Sequence, residues 1–152
     1  MREVVLEGPV IRGLRIASGL NRDLNQKLNY TIRRQKPFFI EAGVPEFGHI
    51  WEGTINLSIA PKKFQILRPD HEVTCEWFPG VTETFWLVQA RLVHNGRERL
   101  AYIYYPCPSP VKSHDDTVVE VLTEWVPNLQ YGDQVSVHGR GDRITLRDGT
   151  SQ

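Results

Sequence analysis

Neither sign of charge is in excess in this chain: Lys plus Arg and Asp plus Glu number 18 each, so the formal net charge is zero. Domains that bind duplexes draw most of their affinity from phosphate contacts and carry a basic surplus. The balance therefore argues against a nucleic-acid partner, while leaving room for a local basic site that takes a small phosphorylated ligand. Cysteine is scarce. Cys75 and Cys107 are the only two, too few for a disulfide framework and too far apart for a CxxC metal knuckle. No apolar run is long enough to suggest a membrane span, and Met1 to Gly8 has no signal-peptide pattern. The expected setting is the cytoplasm, with no membrane partner and both thiols reduced. His49, His71, His94, His114 and His138 fall in separate segments with no H-x-x-x-H spacing. His114-Asp115 stands alone in loop-and-strand surroundings, where a metal-dependent phosphohydrolase needs further His and Asp on helices. There is no G-x-S-x-G elbow and no phosphate loop of the G-x-x-x-x-G-K-[ST] type.

What is present fits one globular domain. The 152 residues are 40% apolar and 10% aromatic, and a chain of this length buries roughly two-thirds of its unfolded surface without disulfide or metal staples. A single β-barrel domain over residues 1–146 is expected, with 147–152 as a flexible tail. Residues 4–11 form the first strand, with Gly8 and Pro9 marking its end or a bulge. Leu20, Leu24, Leu28 and Ile32 recur every fourth residue and predict one principal helix over about 18–35, capped by Ser18 or Asn21 and stopped at Pro37. Residues 38–49, with Gly43, Pro45 and Gly48, read as a loop. Strands are then predicted at 54–59, 73–78, 85–93, 100–105, 117–122, 134–138 and 143–146. Asn95-Gly96 is the hairpin signal between two of them, because a type I′ turn needs positive φ at both central residues. Many short strands favour a closed barrel, which leaves no sticky edge.

Three features carry potential chemistry. In Glu52-Gly53-Thr54-Ile55-Asn56-Leu57, period-two alternation sends Ile55, Leu57 and Ile59 to one face and Thr54, Asn56 and Ser58 to the other. Gly53 permits close backbone approach. The hydroxyl of Thr54 and the amide carbonyl of Asn56 can both face a magnesium ion, which takes oxygen ligands and borrows the rest from phosphates and water. The plain alternative is a half-solvated strand with ordinary polar residues outside. The second feature is the glycine-bearing segment from Gly8 to Gly19, whose backbone N–H groups can cradle a phosphate ahead of a helix, with Arg12, Arg15 and Arg22 adding positive charge. The alternative there is a simple strand-to-helix connection. The third is tryptophan: Trp51, Trp77, Trp86 and Trp125 are expected mainly in the barrel core, with Trp51, beside Glu52-Gly53-Thr54, held back as a ring contact.

The order of these features resembles the archaeal-type, CTP-dependent riboflavin kinases. The likeness runs from Glu7-Gly8-x-Val10 through Gly13-Leu14, a helix, and Trp51-Glu52-Gly53-Thr54-Ile55-Asn56-Leu57. It continues through a hairpin ending in Tyr105-Pro106 to Thr117-Val118-Val119-Glu120-Val121-Leu122 and Gly132-Asp133-x-Val135. The resemblance implies a six-stranded cradle-loop barrel that moves the γ-phosphate of CTP to the ribityl hydroxyl of riboflavin, giving FMN. It implies Mg²⁺ on Thr54 and Asn56, nucleotide contacts from Gly8, Gly13, Leu14 and Arg15, and Glu120 as catalytic base facing the flavin's ribityl chain. Lys112 stands where the family has a threonine that touches the flavin. A carboxylate buried on its strand and paired with Arg is the structural alternative for Glu120. The chain departs from the family at Gly13-Leu14, which is followed by Arg15-Ile16-Ala17-Ser18 instead of further glycines. It also departs after Glu120, where the segment is shortened to Thr123-Glu124-Trp125-Val126-Pro127. The alternative function is a divergent, non-catalytic barrel that binds a small phosphorylated or flavin-like ligand or a protein partner.

Overall fold

The structure is a computed structural model and describes residues 2–12, 31–106 and 116–148. In chain order it contains β1 (Glu3–Ile11), α1 (Thr31–Glu41), a 3-10 turn (Phe47–His49), β2 (Ile55–Ser58), β3 (Lys63–Ile66), β4 (His71–Phe78), β5 (Val81–His94), β6 (Arg97–Pro106), β7 (Val118–Thr123), β8 (Gln134–Arg140) and β9 (Ile144–Arg147). The strands β5-β6-β7-β2-β1-β8 are neighbours in that order, and β8 pairs back onto β5. All these pairings are antiparallel, so the six close into a barrel, as the strand pattern predicts.

Closure depends on the length of β5. Its first half pairs with β4 on one edge, and Ala90 to Val93 pair with β8 on that edge. From Phe85 to His94 it pairs with β6 on the other edge. The turn between β5 and β6 has positive φ at both Asn95 (52°) and Gly96 (79°), the geometry that the Asn-Gly pair predicts.

Alternation builds two apolar clusters, one on each side of the barrel wall. Leu6, Leu57, Val88, Leu92, Ile103, Val121 and Val137 fill the interior with Ile55 and Val119. The short ribbon β3–β9 covers the end where β2 and β8 finish, adding Phe64, Ile66 and Ile144 to that interior. The strand β3 is absent from the sequence reading. Its only signal is the alternation of Phe64 and Ile66, one period long.

The second cluster lies on the outer face of β4 to β7. Val73, Cys75 and Trp77 of β4, Phe85 and Leu87 of β5, Tyr102 and Tyr104 of β6 and Leu122 of β7 pack against Ile32 and Phe39 of α1 and Phe47 of the 3-10 turn. The rings of Phe39 and Phe47 meet edge-on at 5.1 Å, and those of Phe39 and Phe85 at 5.3 Å. Burying a side chain such as Phe39 contributes roughly 1.5–3 kcal/mol.

The helix differs from the sequence expectation. It runs on to Glu41 with Pro37 inside it, and it takes up the first part of the segment read as loop, while Phe47–His49 forms a 3-10 turn. A proline at that point removes one backbone hydrogen bond and crowds the preceding turn. Ile32, Gln35 and Phe39 are nevertheless all fully buried at spacings of three and four, and packing of that face outweighs the local cost. Ile32 is buried on the outer wall as the spacing predicts. Leu20, Leu24 and Leu28, with the capping candidates Ser18 and Asn21, lie outside the described residues. In β1, Gly8 and Pro9 neither end nor bulge the strand: they continue the pairing with Val135 and Gln134. At the other end Arg147 still pairs with Lys63. No helix of the described residues is long and apolar enough to cross a membrane.

Candidate functional site

Thr54 sits just ahead of β2 and Asn56 within it, and both are half-buried on the side opposite Ile55 and Leu57, which are buried in the barrel. The Asn56 amide donates to the Thr54 hydroxyl across 3.4 Å. Strand register then brings in a third group. Asn56 pairs with Glu120 on β7. Val119 and Val121 point inward, so Glu120 shares the outer face with Asn56. It is 8% exposed. The three residues that the resemblance assigns to metal and catalysis therefore form one patch on two adjacent strands.

The patch continues into the outer cluster. Ile103 pairs with Val121, so Tyr104, the next residue of β6, lies beside Glu120. Tyr104 donates to Oε1 of Gln35 on α1 at 2.7 Å. Burial first, then the Glu120 charge, holds the Tyr104 phenol well above its ordinary pKa, so it is a hydrogen-bond donor at neutral pH. Gln35 is fully buried, and its Nε2 has no partner among the described residues. That atom is a donor and suits an acceptor oxygen, not a cation. Neither Gln35 nor Tyr104 is singled out by the sequence. Both look there like ordinary members of an amphipathic helix and a strand, and only the folding of α1 onto β6 brings them together.

The approach to the patch is set by Trp51 and Gly53. The Trp51 backbone N–H bonds to Thr123 O at 2.9 Å, fastening the segment to the end of β7. Its ring lies against Gly53 so closely that a Cβ there would sit 2.6 Å from Cζ3. Glycine at 53 thus serves the indole. Trp51 also meets Trp125 edge-on at 4.9 Å, and the two are 39% and 60% exposed. The expectation of a barrel-core position is corrected for Trp77 and Trp125, while Trp51, held back from the core, is exposed. Trp77 is buried in the outer cluster, Trp86 packs only partly against the interior, and the other two form a surface pair. Nearby, Arg33 donates to Glu52 at 3.1 Å, and Lys36 donates to Ile50 O at 2.7 Å.

Gly8 lies in the barrel wall. A Cβ there would fall 1.8 Å from Ser58 O and 3.0 Å from Ser58 C, so β1 and β2 cross at a separation only glycine allows. Ile11, the last residue of β1, pairs with Asn56. Arg12 follows it, its guanidinium over the Tyr131 ring at 4.9 Å. Gly13, Leu14, Arg15, Arg22, Cys107, Lys112, His114 and Asp115 lie outside the described residues. Among the described residues, no group of three His, Cys, Asp or Glu side chains is arranged to hold a metal. A cation at the Thr54–Asn56 patch would draw on hydroxyl, amide and single-carboxylate oxygens. That all-oxygen set matches the preference of Mg²⁺, which commonly uses one or two carboxylates beside phosphates and water. With its N–H₂ turned to Thr54, the Asn56 amide must rotate by half a turn for Oδ1 to share a ligand with the hydroxyl. No protein-family model matches this chain, and no curated protein matches it either.

Proposed function

We propose that the chain is a riboflavin-kinase-like phosphotransferase, moving the terminal phosphate of a nucleoside triphosphate, CTP in the family it resembles, to riboflavin to give FMN. The observation that supports this reading is the convergence of Thr54, Asn56 and Glu120 on one outer patch of β2 and β7. Phosphoryl transfer depends on positioning and charge neutralisation more than on covalent chemistry, so a few oxygen donors and one carboxylate suffice. Thr54 Oγ1 and Asn56 Oδ1 would hold Mg²⁺, which when bound neutralises charge on the phosphates. Glu120 accepts the proton of the attacking ribityl hydroxyl. The half-exposed indole of Trp51, fixed against Gly53, supplies a flat face beside the patch for a planar ring. Under this reading Gly8 shapes the wall behind the nucleotide, and Gly13, Leu14, Arg15 and Lys112 contribute the remaining nucleotide and flavin contacts.

A second reading, a non-catalytic barrel binding a flavin-like or phosphorylated ligand or a protein partner, is favoured by the burial of Glu120 between Asn56 and Tyr104. The test is FMN formation from riboflavin with CTP, ATP or GTP, followed chromatographically with and without Mg²⁺. The kinase reading expects Mg²⁺-dependent product that is lost in Glu120→Gln. Riboflavin or FMN binding with no product from any nucleotide supports the second reading. The absence of both binding and turnover refutes both small-ligand readings.

A further inference from the structure

We propose that the hollow on the outer wall where β1, β8 and β5 meet is a binding site for a small oxyanion, a phosphate or carboxylate group on a free small molecule. Glu3 acts there as a built-in carboxylate that the ligand displaces. The hollow has a volume of about 310 Å³ and is lined by Arg2, Glu3, Arg91, His138 and Arg140. Strand pairing makes this convergence unavoidable. Glu3 pairs with Arg140, and His138 pairs with Arg91. The adjoining Val4, Val137 and Leu92 face the interior, so these four side chains project outward together.

Three guanidinium groups and an imidazole line the hollow together with this one carboxylate. Glu3 accepts hydrogen bonds from Arg91 and from Nδ1 of His138, the latter at 3.2 Å. The other ring nitrogen of His138 lies 2.9 Å from Ser136 Oγ, which fixes the ring. Glu98 and Asp142 reach Arg91 at 2.7 Å and Arg140 at 2.9 Å without lining the hollow. Arg2 has no ion pair among the described residues, so it offers the hollow an uncommitted charge. Guanidinium forks match carboxylate and phosphate oxygens in shape as well as charge. A site that already holds a carboxylate in this way has the chemistry of a carboxylate or phosphate receptor. Glu3 is suited to leave because its side chain is half exposed, at 50%. The hollow is also separate from the Thr54–Asn56–Glu120 patch. Glu3 begins β1, and Ile11, at its far end, pairs with Asn56; the strand spans about 25 Å between them at roughly 3.3 Å per residue.

The experiment is titration of the full chain and of Glu3→Gln with inorganic phosphate, malonate and, at matched ionic strength, chloride. The readouts are calorimetry and the amide NMR shifts of Arg91, His138 and Gly139. Phosphate or malonate should saturate these shifts in both proteins, while chloride does not. Removing the competing carboxylate should tighten binding about ten-fold, and adding Arg2→Gln should weaken it by about the same factor, the scale of one charge-assisted contact. Preference for phosphate identifies a phosphate ester as the ligand class, and preference for malonate a dicarboxylate. Absence of saturation in both proteins overturns the proposal. So does an equal response to chloride, or affinity unchanged by Glu3→Gln, for then Glu3 only clamps β1 to the barrel.

Discussion

Replacing Gly8 with alanine tests how the barrel wall is built. The added methyl would start 1.8 Å from Ser58 O, and real Cβ atoms essentially never approach closer than 3.0 Å, so β1 and β2 must part by more than about 1 Å. The obstacle is backbone on a strand paired on both sides, with β1 at Val10 and Ile11 and with β7 along its length, and cannot rotate away. Forcing a methylene into a packed interior costs up to about 3 kcal/mol, and backbone displacement lies at the upper end. Loss of glycine's freedom in the unfolded chain offsets about 0.4–1 kcal/mol. The net expectation is a loss of about 2 kcal/mol, or a fall in Tm of about 4–8 °C for a chain of this size. Urea and thermal unfolding measure it. Gly48→Ala is the control, because nothing lies within 4 Å of its added Cβ, and its stability should stay within about 0.5 kcal/mol of wild type. A Gly8→Ala protein as stable as the control would refute the close-crossing argument. If that protein also lost nucleotide binding, the glycine would be needed for the ligand and not for the wall.

Thr54→Val and Asn56→Leu keep shape and remove the polar groups; under the phosphotransfer reading each abolishes Mg²⁺-dependent FMN formation while stability moves by less than about 0.5 kcal/mol. Unchanged turnover, or a stability loss near 1 kcal/mol with ligand affinity intact, would make the pair structural. Tyr104→Phe strips the donor from fully buried Gln35 and should cost about 1–3 kcal/mol in urea unfolding; a neutral result would mean that the amide finds another partner. Burial, and then the charge of Glu83, pushes the Cys75 thiol up to about 11, so peptide-resolved alkylation at pH 8 should leave Cys75 unlabelled until guanidinium unfolds the chain. Labelling of the native protein at the rate of a free thiol would contradict that. Glu3 is held below its ordinary pKa by hydrogen bonds from His138 and Arg91. At Asp142 burial acts to raise the carboxyl, and Arg140 and Arg143 outweigh it and lower it. A depressed carboxyl stabilises above its unfolded pKa and loses that contribution as pH falls through the folded one. The stability gap between wild type and Glu3→Gln/Asp142→Asn should therefore be open at pH 7 and close below about pH 4; a gap constant with pH would rule out the linkage.

The barrel was legible because its signals are local. Period-two alternation marks β2, and the Asn95-Gly96 pair states its own turn geometry and so joins β5 to β6. Sequence alone fails where the outcome depends on what packs on the second face of a strand. Val118-Val119-Glu120-Val121-Leu122 leaves open whether Glu120 faces a ligand or is buried on its strand; α1 covers Leu122 and Tyr104 on the outside, and Glu120 is drawn into the same shelter. Pro37 reads as a stop for the same reason: the rule weighs the lost hydrogen bond and cannot weigh Ile32, Gln35 and Phe39 seated on β4 to β6. The orientation of Thr54 and Asn56 was accessible because it follows from spacing within one strand. Their proximity to Glu120 was not, because it depends on a register between residues far apart in sequence, which no local pattern encodes. The two halves of the candidate site thus rest on different physics. Alternation fixes which way its oxygens face, and barrel closure fixes which of them meet, so a substitution that slipped β2 by one residue against β7 would send Thr54 and Asn56 into the apolar interior and dismantle the site without touching any of its side chains.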